Sequence, residues 1–317
     1  MSTRTRAGLR KFRPIRPGSR VALVAPASAF DRSEFDAGLA ELARLNLSPV
    51  FDDTIFARAG FVAGSAVLRA EALMHAMTRD DVDAVVAVRG GYGSVETLPY
   101  LDRERLRRRP VALVGYSDIT SLHLFLGGHV GMTSVHGAMI DGRLARGPAA
   151  YDASSWIASL SAEPLGELTA DALEILRPGE AAGPLIGGTL TQLAGSIGTP
   201  YDLVVPAGAV LFIEDVAERP YQLRRLLMQL QLGGKLAQAG AIVLGEMTRC
   251  DEPGSDRSAH AVLAEFFADF PGPVLFGFPS GHTSGRLVSL PLGVHTQVLA
   301  GAGTRPRLVL EEAAAEA

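Results

Sequence analysis

The chain reads as an α/β protein built from two units, on three observations. Short apolar runs such as Val21–Ala25, Val111–Val114 and Ala209–Ile213 alternate with segments of helical spacing. The runs are almost continuously apolar, as in parallel strands covered on both faces. And 317 residues exceed the usual size of one domain. Together these predict βαβ units and a parallel sheet with helices on both faces.

The elements follow in order. Arg4, Arg6, Arg10, Lys11, Arg13, Arg16 and Arg20 precede the first strand, so the start resembles a signal peptide. Its apolar core is only about five residues before Pro26, short of the usual 7–15. Val21–Ala25 is therefore the first buried strand, and residues 1–18 are expected to form a basic, disordered arm. Phe35, Leu39, Leu42 and Leu45 mark a helix, and 49–51 a short strand. Ser65 suits the N-cap of a helix with the stripe Leu68, Ala72, Leu73, Ala76, Met77. Val82–Val88 is a strand running into Arg89-Gly-Gly-Tyr-Gly93. The strand Val111–Val114 is broken by Gly115, and 131–136 is one more strand. This unit spans 19–140.

Residues 141–178 lose strand signals and gain Gly, Ala, Pro and Ser, which places the linker there. It carries Trp156, the only tryptophan, expected to pack the linker onto a domain rather than to stack on a ligand. The second unit, 179–317, has strands at 209–213, 241–244 and 274–276. Its helices are one opened by Pro220 and closed by Gly233-Gly234, and one at 261–267. The Ala/Glu-rich last residues are expected to fray.

Composition narrows the function. Hydrophobic content of 47% with 20% charged residues describes a soluble, well-buried protein, and a net charge of −4 gives no basis for a nucleic-acid partner. No apolar run approaches the roughly 20 residues that span a bilayer. The single Cys250 excludes an intramolecular disulfide and fits a reducing cytoplasm. No H-E-x-x-H or C-x-x-C motif is present, so metal binding has no support.

Chemistry concentrates at Ser117, where strand gives way to helix (Ile119, Leu122, Phe125, Leu126). A serine at such a corner is pushed onto a helix N-terminus, where backbone N–H groups stabilise an oxyanion. The alternative is that Ser117 or Asp118 merely caps the helix. A nucleophilic serine needs a base oriented by a carboxylate. His75 and His260 lie in predicted helices, His123 belongs to the helix after Ser117, and His129 and His295 have no telling neighbours. His136 and His282 remain, the latter in the tight loop Pro279-Ser-Gly-His-Thr-Ser-Gly285. Glu214 and Asp215 both end the strand 209–213; periodicity does not choose between them, and the other acid caps a turn or pairs with Arg219. Ile119 stands where G-x-S-x-G requires a small residue, so this is not an α/β-hydrolase elbow. The Arg89–Gly93 loop has neither P-loop nor dinucleotide spacing; its glycines let backbone N–H groups approach a reacting centre. Cys250 reads as a small buried thiol rather than a nucleophile.

The blocks taken together resemble a known family. Val21-Ala-Leu-Val-Ala-Pro-Ala-Ser28, Arg89-Gly-Gly-Tyr-Gly93, Gly115-Tyr-Ser-Asp-Ile-Thr120 and His136-Gly137 are similar to the N-terminal blocks of the L,D-carboxypeptidase family of serine peptidases. Leu193–Pro200 after Gly187-Gly188, Ile213-Glu-Asp215, Arg219-Pro-Tyr221 and Gly281-His282 with 290–293 resemble its C-terminal ones. That family also contains the microcin C self-immunity peptidase.

The resemblance implies a flavodoxin-like N-terminal domain, a smaller α/β C-terminal domain, a site between them, and a homodimer. It implies a triad of Ser117, Glu214 and His282, an oxyanion hole of Gly91 and Asp118 backbone amides, and no metal or cofactor. The implied substrate is a muropeptide from which terminal D-alanine is removed during cytoplasmic cell-wall recycling. Arg89 and Tyr92 are candidates for substrate contact, Arg89 as a bidentate carboxylate partner or else a structural ion pair. Two departures stand out: Thr189, and Arg286-Leu287, where the family's pattern has Asn. The 97 positions between Ser117 and Glu214 leave little room for the longer loop of the microcin branch. The competing readings are a microcin-type aminoacyl-nucleotide peptidase, with Trp156 stacking on the base, and a non-catalytic two-domain binding protein.

Overall fold

Five predicted strands assemble in one parallel sheet: β1 (Arg20–Val24), β2 (Ser48–Val50), β3 (Ala84–Ala87), β4 (Ala112–Gly115) and β5 (Ser134–His136). They run in the order β5-β4-β3-β1-β2. That is the flavodoxin-like order, with ligand sites expected at the carboxyl ends of the strands. The computed structural model describes residues 8–254, 257–301 and 303–316.

Local chemistry explains the covering helices. Asp31 accepts from Ser33 N–H and Glu34 N–H to cap the helix Arg32–Arg44. Ser65 accepts from Leu68 N–H at 3.2 Å to start Ala66–Thr78, as its sequence position predicts. Pro220 opens Pro220–Leu232, which buries Leu223, Leu227 and Leu230 along one face.

The second sheet contains β6 (Gly166–Leu168), β7 (Glu174–Arg177), β8 (Gly179–Thr189), β9 (Ala209–Glu214), β10 (Ala239–Gly245) and β11 (Val274–Phe278). After β12 (Leu290–Leu292), it is completed by β13 (His295–Ala300) and β14 (Arg307–Leu310). Its order is β6-β14-β13-β8-β9-β10-β11-β7. The central β8 to β11 are parallel, and the flanks pair antiparallel. It has eight strands, and the first sheet reaches six with β12.

Long-range packing corrects the expected division in four places. β12 leaves the second unit and pairs antiparallel with β5 at the edge of the first sheet. Residues 8–18 are not a loose arm: Phe12 is fully buried, Arg10 N–H donates to Gly131 O at 2.9 Å, and Ile15 N–H to Leu160 O at 3.0 Å. Burying a Phe contributes about 1.5–3 kcal/mol, which outweighs the flanking charges that stay in solvent. Residues 1–7 of that expected arm lie outside the described residues. The C-terminal end does not fray through residue 316, because Ala314 and Ala315 are buried and Glu316 N–H donates to Phe12 O at 2.9 Å. The segment 141–178 is no simple linker either, since it supplies β6 and β7 to the second sheet. Trp156 within it is fully buried and donates from Nε1 to Ala138 O at 3.1 Å, so no ring face is free to stack on a ligand. Among the described residues, no helix is long and apolar enough to cross a membrane.

Candidate active site

Ser117 ends the turn after β4 with φ +64°, a left-handed conformation that costs an L-residue about 1–2 kcal/mol. The turn is held by tight packing on both sides. A Cβ on Gly115 would sit 2.8 Å from Ile119 Cγ2, so the Ile119 side chain occupies the space above the glycine. This explains why a branched residue stands two positions after the serine. A Cβ on Gly90 would lie 3.0 Å from Ser117 Cβ and 3.3 Å from Asp118 N, which brings the Arg89–Gly93 backbone against the corner.

Neither Ser117 nor Asp118 caps its helix by a side chain. The buried Asp118 carboxylate instead accepts from Ser94 N–H at 2.8 Å, and Ser94 Oγ donates to Asp118 O at 2.6 Å. This ties the corner to the end of the glycine loop. That loop is fixed in turn by Ser28, whose Oγ accepts from Tyr92 N–H at 3.1 Å and whose N–H donates to Gly90 O.

Glu214 ends β9 and is buried. Its Oε2 accepts from His282 Nδ1 at 2.8 Å and from His282 backbone N–H at 2.9 Å, while Thr189 Oγ1 donates to Oε1. Gly281 makes the approach possible: its φ is +74°, and a Cβ there would lie 2.5 Å from the Glu214 carboxyl carbon. Burial alone would push the Glu214 carboxyl up. The His282 charge and hydrogen bond, helped by His136 and Thr189, outweigh it and hold the group at about 2. Burial lowers the His282 imidazole, but the Glu214 charge more than compensates and the group is raised. An imidazole oriented through Nδ1 by an ionised, buried carboxylate is the arrangement of a general base.

The geometry resolves the choices that periodicity left open. Asp215 points the other way. Its Oδ2 accepts from Thr191 N–H and Oγ1, capping the helix Leu190–Gly195, and Oδ1 accepts from Val216 N–H. Burial and then the Glu214 charge push it up to about 6. Arg219 pairs with Glu252 rather than Asp215. His136 is buried, with Nδ1 3.2 Å from Ser280 Oγ, and burial pushes it down to about 4 against the Glu214 charge. His123 is likewise held between Gly115 O and Ser134 Oγ. Cys250 is buried and its thiol is pushed up to about 12 by burial, which removes it as a nucleophile.

Residues from both units converge here. The His282 ring packs edge-on against Tyr116, the neighbour of Ser117, at 5.2 Å between centroids. Arg89 forms an ion pair with Asp141 at 2.9 Å while its side chain stays half exposed. Tyr92 is exposed beside Phe61, with ring centroids 5.5 Å apart. Sequence reasoning missed two contributors. Thr189 drew notice only as a departure from a pattern, and Arg143, which reaches the His282 loop, lies in the segment read as linker. A lone Thr or Arg carries no motif that would have singled it out.

Comparison with known proteins identifies the family. The description "LD-carboxypeptidase N-terminal domain" matches residues 21–137, and "LD-carboxypeptidase C-terminal domain" matches 182–298. The chain belongs to the LD-carboxypeptidase family. It is thus a hydrolase of the serine carboxypeptidase type. The probable murein peptide carboxypeptidase of Bacillus subtilis is 32% identical over 296 residues, 89% of each chain. The murein tetrapeptide carboxypeptidase of Pseudomonas aeruginosa is 36% identical over 273 residues, 83% of this chain and 88% of that one. The microcin C7 self-immunity protein MccF of Escherichia coli is 28% identical, covering 85% of this chain and 86% of that one. The crystal structure of muramoyltetrapeptide carboxypeptidase from Oxalobacter formigenes superposes with a TM-score of 0.82 at 27% identity, covering 93% and 99%.

Proposed function

We propose that this LD-carboxypeptidase releases terminal D-alanine from murein tetrapeptides through an acyl-enzyme, with Ser117 as nucleophile, His282 as general base and Glu214 as its orienting acid. The observation that carries the reading is the buried Glu214 carboxylate gripping His282 through both the ring and the backbone N–H. The murein-acting relatives supply the substrate class.

The steps follow from the residue chemistry. His282 takes the proton of Ser117 Oγ as that oxygen bonds to the terminal peptide carbonyl carbon. The developing oxyanion is held by the N–H groups of Asp118 and Gly91; removing one such donor typically costs about 2.7–4 kcal/mol. The tetrahedral adduct collapses as the C–N bond breaks and His282 gives its proton to the departing D-alanine nitrogen. Water, deprotonated by His282, then cleaves the ester and restores Ser117. No metal or cofactor enters this scheme. The reading also includes a homodimer acting in the cytoplasm, to be checked by light scattering and cell fractionation.

The test is D-alanine release from a purified murein tetrapeptide, run beside an aminoacyl sulfamoyl-adenosine. Wild-type turnover of the first, abolished in Ser117→Ala, is the expected result. Turnover of the nucleotide substrate alone would assign the chain to the microcin-type activity instead, and Ser117→Ala at wild-type rates would remove the triad.

A further inference from the structure

We propose that Arg143 is a positioning residue that sets His282 against Ser117 by tying the base-carrying loop to the nucleophile-carrying unit. The proposal rests on the Ser117–Glu214–His282 reading above. His282 sits in a loop of the second unit, and its own unit fixes it well. Glu214 holds its ring and N–H. Thr248 Oγ1 donates to His282 O, and the Glu246 carboxylate accepts from Thr283 Oγ1, Ser284 N–H and Ser284 Oγ. None of these contacts refers the imidazole to Ser117, which stands on the other unit.

Arg143 makes that reference. It rises from a turn packed on the first unit, anchored by the buried Ile140 and Leu144, by Asp141 N–H on Val88 O at 2.8 Å, and by Gly142 N–H on Glu34 Oε2 at 3.0 Å. Its guanidinium crosses to the loop and brackets the histidine. Nη2 donates to Gly281 O at 3.5 Å and Thr283 O at 2.5 Å, the residues immediately before and after His282. Nη1 donates to Gly285 O at 2.8 Å and to Ala150 O at 3.0 Å. Burial raises the phenol of Tyr116, next to the nucleophile, and the Arg143 charge opposes that rise. Four neutral carbonyls take its N–H groups, a task for a rigid planar fork that the point charge of lysine reproduces poorly. Arg89 differs: its head pairs with the Asp141 carboxylate and stays half exposed, whereas Arg143 is committed to the loop carbonyls.

The test compares wild type with Arg143→Ala and Arg143→Lys. In D-alanine release, Arg143→Ala is expected to lower kcat by about 10²-fold with KM little changed, as for a misplacement near 1 Å. Added guanidinium should restore part of the loss, and Arg143→Lys should lie between. A second readout needs no assigned substrate: the rate at which a fluorophosphonate labels Ser117 should fall in parallel, and amide exchange should quicken over 281–285 but not over β9. If wild type is labelled but releases no D-alanine, the substrate reading fails while the labelling rates still decide the role of Arg143. Should Arg143→Ala not fold, the labelling and exchange rates of Arg143→Lys carry the comparison. A raised KM at wild-type kcat would make Arg143 a substrate grip and overturn the proposal, as would unchanged labelling in the variants.

Discussion

Replacing Glu214 with Gln probes the pair at the centre of the site while keeping its shape. An amide oxygen can still accept from His282 Nδ1–H and N–H, and the amide nitrogen can face the Thr189 hydroxyl, so the variant loses chiefly the charge. With charge centres about 4 Å apart and an effective dielectric near 20, the carboxylate–imidazolium attraction is about 4 kcal/mol, so the plateau of kcat/KM should fall roughly 10³-fold. The pH profile adds a sign. In the proposed mechanism His282 acts as a base only when neutral, so the rate should climb as pH rises through its pKa. In the wild type burial lowers that pKa, and the Glu214 charge overrides burial and leaves it raised. Without the charge, burial and the Arg143 charge are opposed only by the more distant effect of Asp215, so the rising limb moves to lower pH even as the plateau drops. The assay is D-alanine release from pH 5 to 9 on protein whose thermal transition has been checked. A plateau at wild-type height, or a limb that stays in place or moves to higher pH, would refute the electrostatic coupling.

Two further substitutions test its support. Thr189→Val removes the hydroxyl on Glu214 Oε1; a hydrogen bond to a charged group contributes about 1.5–3 kcal/mol, so kcat/KM should fall about 10- to 100-fold, and Thr189→Ser should recover most of it in steady-state assays. Gly281→Ala combines a φ of +74° with a Cβ 2.5 Å from the Glu214 carboxyl carbon, so urea denaturation should show a loss of stability of at least about 1–2 kcal/mol, with turnover largely abolished. An alanine variant with native stability and kcat would contradict the packing described here.

The sequence by itself determined what is local. Continuous apolar runs place β1, β3, β4, β9 and β10, because a strand buried on both faces leaves no alternation. Ser65 and Pro220 start their helices through hydrogen bonds and backbone angles set within one turn. Ser117 is legible for the same reason: an apolar run, a glycine and a helical stripe define a corner without outside help. Ordered motif blocks added the family, and with it Glu214 and His282. Tertiary structure alone decided what depends on contacts between distant segments. Glu214 and Asp215 are neighbours of the same chemistry, and only the arrival of Gly281-His282 over one of them separates a partner of His282 from a helix cap. His136 and His282 are both candidates by sequence, and only the fold separates them: Glu214 grips His282, while His136 is fully buried against Ser280 Oγ. Phe12, the last residues and β12 were misjudged because their flanks are basic, Ala-rich or short, whereas their partners lie more than 100 residues away in sequence. Arg143 follows the same rule. Its function resides in carbonyls at 281, 283 and 285, a loop closure that no pattern around residue 143 encodes.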